Sequence, residues 1–139
     1  MTPDKNNSMK ILIVDDEPAI IKCFQMILKI KDCEIETAVD NESALEILEK
    51  KKFDLIFTDL NHPCKKDDKA MHGAGLKLLE IIKEKYPLTE VIVDTASAGE
   101  SDLAVKAISL GAFEFLRKPF LIEQIYELLE RVAKKKGLR

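Results

Sequence analysis

Lys10-Ile11-Leu12-Ile13-Val14-Asp15-Asp16-Glu17-Pro18 is the stretch on which the fold reading turns. A short, continuous apolar run rich in β-branched residues suits a strand buried on both faces. The acidic pair stops it. Pro18 can open a helix without cost, because the N–H it lacks has no partner there anyway. Ile20, Phe24, Ile27 and Leu28 then recur at helical spacing, which predicts an amphipathic helix over roughly 18–30.

The same alternation continues outward from this unit. Glu34–Val39 reads as a strand, and Asp40 or Asn41 can cap a helix carrying Ala44, Leu45 and Leu48. Phe53–Thr58 is a strand that runs into Asp59. Gly75–Tyr86 is a helix with Leu76, Leu79 and Ile82 or Lys83 near one face, closed by Pro87. Glu90–Thr95 is a strand and Ser101–Leu110 a helix, with Gly111 suited to its C-terminal cap. Ala112–Leu116 is a short strand ended by Lys118-Pro119, and Leu121–Lys135 is the last helix, striped by Ile122, Ile125, Leu129 and Val132. Five strands alternating with five helices predict an α/β fold with a doubly wound parallel sheet and helices on both faces.

Composition bounds the rest. The 139 residues suit one domain, and 46% apolar content suits one solid core. The sequence divides into a flexible polar tail over 1–8 and a domain over 9–139. A net charge of −3 argues against direct nucleic-acid binding, and Lys134-Lys135-Lys136 reads as a solvated helix end. Cys23, Cys33 and Cys64 form no disulfide framework and fit a reducing compartment. With no signal-peptide stretch and no run near the roughly 18 apolar residues of a membrane span, a soluble cytoplasmic protein without a membrane partner is expected.

The chemistry lies just past the strands. Asp15 and Asp16 follow the first, Asp59 the third, Thr95 the fourth and Lys118 the fifth. In an open α/β sheet, ligand sites lie outside the carboxyl ends of the strands. The fold therefore brings three carboxylates, a hydroxyl and an ammonium to one rim. Crowded carboxylates repel, and a hard divalent cation such as Mg²⁺ relieves them. A carboxylate can then act as nucleophile toward a phosphoryl donor, with the cation and Lys118 neutralising the developing charge and Thr95 donating a hydroxyl. Each residue alone has a plainer reading: Asp15-Asp16 as a helix cap, Asp59 in a turn, Lys118 solvated, Thr95 a strand residue, Phe115 core. Those readings leave their shared location at one sheet edge unexplained.

The segments Ile11–Glu17, Asp54–Leu60, Thr95-Ala96 and Gly111–Pro119, with Pro63 four residues after Asp59, together resemble the receiver domains of response regulators of the chemotaxis-regulator type. The resemblance covers about residues 9–135. It implies the flavodoxin-like strand order 2-1-3-4-5, with Asp59 as phosphoacceptor. Asp16 would be a direct Mg²⁺ ligand, Asp15 a nearby one through water, and the Asn61 backbone carbonyl a third protein ligand. Lys118 would pair with the phosphoryl oxygens through a cis Lys118–Pro119 junction. Thr95 and Phe115 would be the switch residues. A histidine kinase or phosphotransfer protein would be the phosphoryl source and a downstream protein the target. The domain would be a monomer or a phosphorylation-dependent dimer, and a signalling domain rather than an enzyme, apart from slow self-dephosphorylation. Output would come from binding another protein or from a segment beyond this sequence. Two alternatives remain: a degenerate receiver that binds constitutively, and an aspartate-nucleophile phosphatase, whose usual Asp-x-Asp is here an adjacent pair.

Three positions depart from the family pattern. Gly75 lies twelve residues after Pro63 where about four is common, so an insertion of about eight residues is expected within 64–73, a size that loops tolerate. Asp94 stands before Thr95 where an apolar residue is usual; it could pair with a lysine, reach the pocket or displace Thr95. His62 takes a place often held by methionine. His62, Cys64, Asp67, Asp68 and His72 have metal-binding side chains but no standard ligand spacing, and read as a solvated polar loop.

Overall fold

A computed structural model describes residues 8–65, 73–95 and 101–138 of the chain. Most of the expected tail and the centre of the expected insertion lie outside these residues. Strands and helices alternate: β1 (Lys10–Val14), α1 (Pro18–Ile30), β2 (Glu34–Ala38), α2 (Asn41–Lys50), β3 (Leu55–Asp59), α3 (Ala74–Lys85), β4 (Glu90–Thr95), α4 (Ser101–Ser109), β5 (Glu114–Arg117) and α5 (Ile122–Lys136). The strands form one parallel sheet in the order β2-β1-β3-β4-β5. The doubly wound α/β fold and its strand order are as expected.

Alternation along each strand sorts the apolar side chains onto two faces. Leu12, Val14, Ile56, Val91 and Val93 join Ala44 and Leu48 of α2, Leu76, Leu79 and Ile82 of α3, and Ala107 of α4. Ile11, Ile13, Leu55, Phe57 and Ile92 join Phe24, Ile27 and Leu28 of α1 and Ile125, Leu129 and Val132 of α5. The continuous apolar runs exist because both faces are covered. Phe24 and Phe57 link α1 to β3 at 4.8 Å between ring centroids, an inclined pairing that aromatic rings favour.

Boundaries shift where a backbone group is already engaged. β3 starts at Leu55 rather than Phe53. Asp54 is tied to Lys10 instead, its N–H to the Lys10 carbonyl at 2.8 Å and its Oδ2 accepting from the Lys10 N–H at 2.9 Å. β5 starts at Glu114 because Ala112 donates its N–H to Ala107 O, closing α4. Ile122, expected on the buried stripe of α5, is 49% exposed; it is the first helical residue, ahead of Ile125 and Leu128, which reach the core.

Helix α3 meets the end of β3 with no room to spare. A Cβ on Gly75 would lie 2.4 Å from Asp59 O and 2.9 Å from Leu60 Cα. The Gly75 N–H donates to Leu60 O at 2.8 Å. Only glycine lets the helix backbone approach the strand this closely. Gly75→Ala is expected to lower the unfolding free energy by about 2–3 kcal/mol, as overpacking against fixed backbone does, measurable by urea titration.

Candidate functional site: an acidic rim around Lys118

Strand ends β1, β3, β4 and β5 converge at one edge of the sheet. Asp15 follows β1, Asp59 ends β3, Asp94 and Thr95 end β4, and Lys118 follows β5. Lys118 N–H donates to Thr95 O at 2.8 Å, which carries the β4–β5 pairing one residue further and fixes the root of the lysine. The Lys118–Pro119 bond is cis.

The ammonium of Lys118 lies among three carboxylates. Its Nζ is 3.2 Å from Asp15 Oδ2, 3.3 Å from Asp94 Oδ1 and 3.6 Å from Asp59 Oδ1. Burial pulls the ammonium pKa down, but Asp94, Asp59 and Asp15 outweigh it and hold it above the ordinary lysine value. Lys118 is therefore a firm cation.

Asp15, Asp16 and Asp59 each offer a carboxylate oxygen within 4.8 Å of the others. Asp16 is exposed, whereas Asp15 and Asp59 are buried. The Asp15 oxygens are already engaged, Oδ1 by the Glu17 N–H at 2.9 Å and Oδ2 by Lys118. The acidic pair therefore does not cap α1, whose N-terminus at Glu17 has no side-chain cap. An all-oxygen set of this compactness fits a hard divalent cation of the Mg²⁺ kind.

Two carboxyls here sit far from their ordinary pKa. Asp59 is raised to about 7, chiefly by burial; Lys118 opposes the shift, Asp15 and Asp16 add to it, and the Asn61 N–H draws it back. Asp94 is also raised to about 7, again mainly by burial, against Lys118 and with Asp59 and Asp15. Of the three courses open to Asp94 from sequence, two are observed together: it pairs with a lysine, Lys118, and so reaches the pocket.

The sequence did not reveal what His62 does. It is fully buried, with Nδ1 2.8 Å from Asp59 O, and Nε2 meets Asn41 Oδ1 at the start of α2. Asn41 Nδ2 donates to Ala74 O at 3.2 Å. The imidazole thus ties the end of β3 to the start of α2, and Asn41 carries the link on to the start of α3. Both ring nitrogens face oxygens, an arrangement fully bonded only when the ring carries two protons. Burial lowers the His62 pKa, against the upward pull of the Asp59 carbonyl and of Asp15, Asp16 and Asp40. The one visible signal was a polar ring at a position where methionine is usual.

The loop after His62 is held in the same way. Asn41 and Glu42 at the start of α2 donate their N–H groups to Pro63 O at 3.2 Å and Cys64 O at 3.0 Å. Asn61 Oδ1 accepts from the Gly73 N–H at 2.9 Å. Residues 66–72, including Asp67, Asp68 and His72, lie outside the described residues. Phe115 on β5 is half-buried and packs on the α2–α4 side of the core.

The response regulator receiver domain family model matches residues 11–130. The chain belongs to the receiver domains of response regulators. It is 36% identical over 120 residues to the response regulator protein PilR of Pseudomonas aeruginosa, covering 86% of this chain and 25% of that protein. The nitrogen assimilation regulatory protein NtrX of Azorhizobium caulinodans is 35% identical over 129 residues, covering 93% of this chain and 27% of the relative. The chain thus spans about a quarter of the length of these relatives. Among solved structures, the beryllofluoride-activated NtrC4 receiver domain dimer superposes with a TM-score of 0.80 at 32% identity, covering 91% of this chain and 97% of that one. Among the described residues no helix is long and apolar enough to cross a membrane.

Two measurements follow from this geometry. His62→Ala removes both ring contacts and leaves Asn41 Oδ1 without its partner, so a loss of about 2–4 kcal/mol is expected in urea unfolding. The second concerns pH in metal-free protein. Asp59 and Asp94 titrate near 7 when folded, against an ordinary value of 3.8. Between those values the folded state binds more protons than the unfolded one. These two groups therefore favour folding at low pH, and that contribution is lost as pH rises toward 7. In chelator, Asp94→Asn should match the wild type only below the ordinary carboxylate value of 3.8 and exceed it increasingly as pH rises to about 7 and above, measured by thermal unfolding.

Proposed function

We propose that the chain is a phosphoacceptor signalling domain in which Asp59 receives a phosphoryl group in a Mg²⁺-dependent reaction. The observation that carries this reading is the single rim shared by Asp15, Asp16, Asp59 and Lys118. Asp16, Asp59 and the Asn61 backbone carbonyl would hold Mg²⁺ directly, with Asp15 nearby through water. Bound there, the ion supplies positive charge that screens the acidic groups and the phosphoryl oxygens.

The chain's own residues do the rest. An Asp59 carboxylate oxygen attacks phosphorus as the bond from phosphorus to the donor breaks, and the departing group keeps that electron pair. Asp59 must be ionised to attack. Burial opposes this, while Lys118 and the Asn61 N–H favour it. Lys118 turns toward the phosphoryl oxygens, and the Thr95 hydroxyl donates to them. Phe115 on the neighbouring strand follows Thr95, which remodels the face presented by α4, β5 and α5.

A histidine kinase or phosphotransfer protein is the phosphoryl source in this reading, and a protein the target. The domain is a cytoplasmic module, monomeric or dimeric on phosphorylation, and not an enzyme in its own right beyond slow loss of its own phosphoryl group.

Incubation with Mg²⁺ and acetyl phosphate should add the mass of one phosphoryl group, seen by intact-protein mass spectrometry. Asp59→Asn should abolish the label, and chelation of Mg²⁺ should do the same. Equal labelling of Asp59→Asn would remove Asp59 from the role. Multiple-turnover hydrolysis of a phosphate monoester would mark the phosphatase alternative instead.

A further inference from the structure

We propose that Asp94 is a positioning residue that competes with the phosphoryl group for Lys118 and so biases the domain toward its unphosphorylated state. The proposal rests on the reading of Asp59 as phosphoacceptor.

Asp94 lies outside the acidic trio that fits a cation. It is nonetheless side by side with that trio, because the β3–β4 register pairs it with Asp59. Paired residues on neighbouring strands project to the same face, and like charges there repel. Ile92, two residues earlier on that face, is in the core. An apolar side chain at 94 would extend that core, so the carboxylate is a departure that needs an offset.

Lys118 is that offset, and an incomplete one. Asp94 is 1% exposed, and its Oδ1 sits 3.3 Å from Lys118 Nζ yet has no hydrogen bond among the described residues. The hydrogen bond from the ammonium goes to Asp15 Oδ2 at 3.2 Å. Lys118 is thus hydrogen-bonded to Asp15 and attracted by Asp94, while Asp59 stands furthest off.

Esterification of Asp59 changes the demand on this one cation. The phosphoryl oxygens draw Lys118 toward Asp59 and away from Asp94. A buried carboxylate is left beside added negative charge with its cation withdrawn, an arrangement that low-dielectric surroundings penalise. Burial of Asp94 costs both states, but this added penalty falls on the phosphorylated state alone. Removing the charge while keeping the shape should therefore favour that state.

Beryllofluoride, which adds to a carboxylate as a phosphoryl mimic, gives the test through its bound ¹⁹F resonances at saturating Mg²⁺. Asp94→Asn and Asp94→Ser should each bind it about five- to tenfold more tightly than the wild type, the scale of one removed like charge in a partly screened site. The same variants should bind Mg²⁺ alone no more tightly, by calorimetry. A purely structural role would not shift the two affinities apart. Unchanged or weaker beryllofluoride binding in both variants, with binding lost in Asp59→Asn, would overturn the proposal and leave the phosphoacceptor reading intact. Binding retained by Asp59→Asn would overturn both.

Discussion

One ammonium ion holds the functional edge of this molecule together. Lys118 is within 3.6 Å of three carboxylates that belong to three different strands. Without it the ends of β1, β3 and β4 would present buried like charges to one another. Its root is fixed by the backbone, through the bond to Thr95 O. The sheet can therefore carry this density of negative charge only while β5 is in place beside β4. Even then the offset is partial, since Asp16 adds a further carboxylate and Asp59 and Asp94 retain protons far above their ordinary range. The charge left over is of the kind a hard divalent cation would neutralise, so the same crowding that raises these carboxyls also makes the rim fit such an ion.

Around this edge the backbone leaves little freedom. Gly75 brings α3 against the carbonyl of Asp59 itself. His62 bonds to that same carbonyl and reaches α2. Asp59 is thus fixed by its strand, by a helix start and by a buried ring. Pre-organised surroundings of this kind leave the side chain, rather than the backbone, to respond when its charge changes.

Most of the fold could be read in the sequence, because buried parallel strands and amphipathic helices write different periodicities. Ile11–Val14 and Val91–Val93 announce themselves as strands, and Phe24, Ile27 and Leu28 as a helix face. The grouping of Asp15, Asp59 and Lys118 was legible too, but only through the rule that strand ends share a rim. What stayed hidden depends on contacts distant in sequence. Asp40 and Asn41 could each have capped α2; Asp40 does so, and Asn41 serves His62 and Ala74 instead. Asp94 could be recognised as unusual, but its partner could not be chosen without knowing where Lys118 points. The starts of β3 and β5 moved because Asp54 and Ala112 had other hydrogen bonds, which no local pattern records.

The long connection after Asp59 has a closed base. Pro63 and Cys64 are clasped by the first amides of α2, and Asn61 spans to Gly73 across its foot. Because both feet are fixed by bonds of their own, the number of residues strung between them is thermodynamically cheap to change, since ring closure depends only weakly on length. The bonds that fix the end of β3 and the starts of α2 and α3 do not draw on that number. Lengthening or shortening there leaves the mooring of Asp59 untouched.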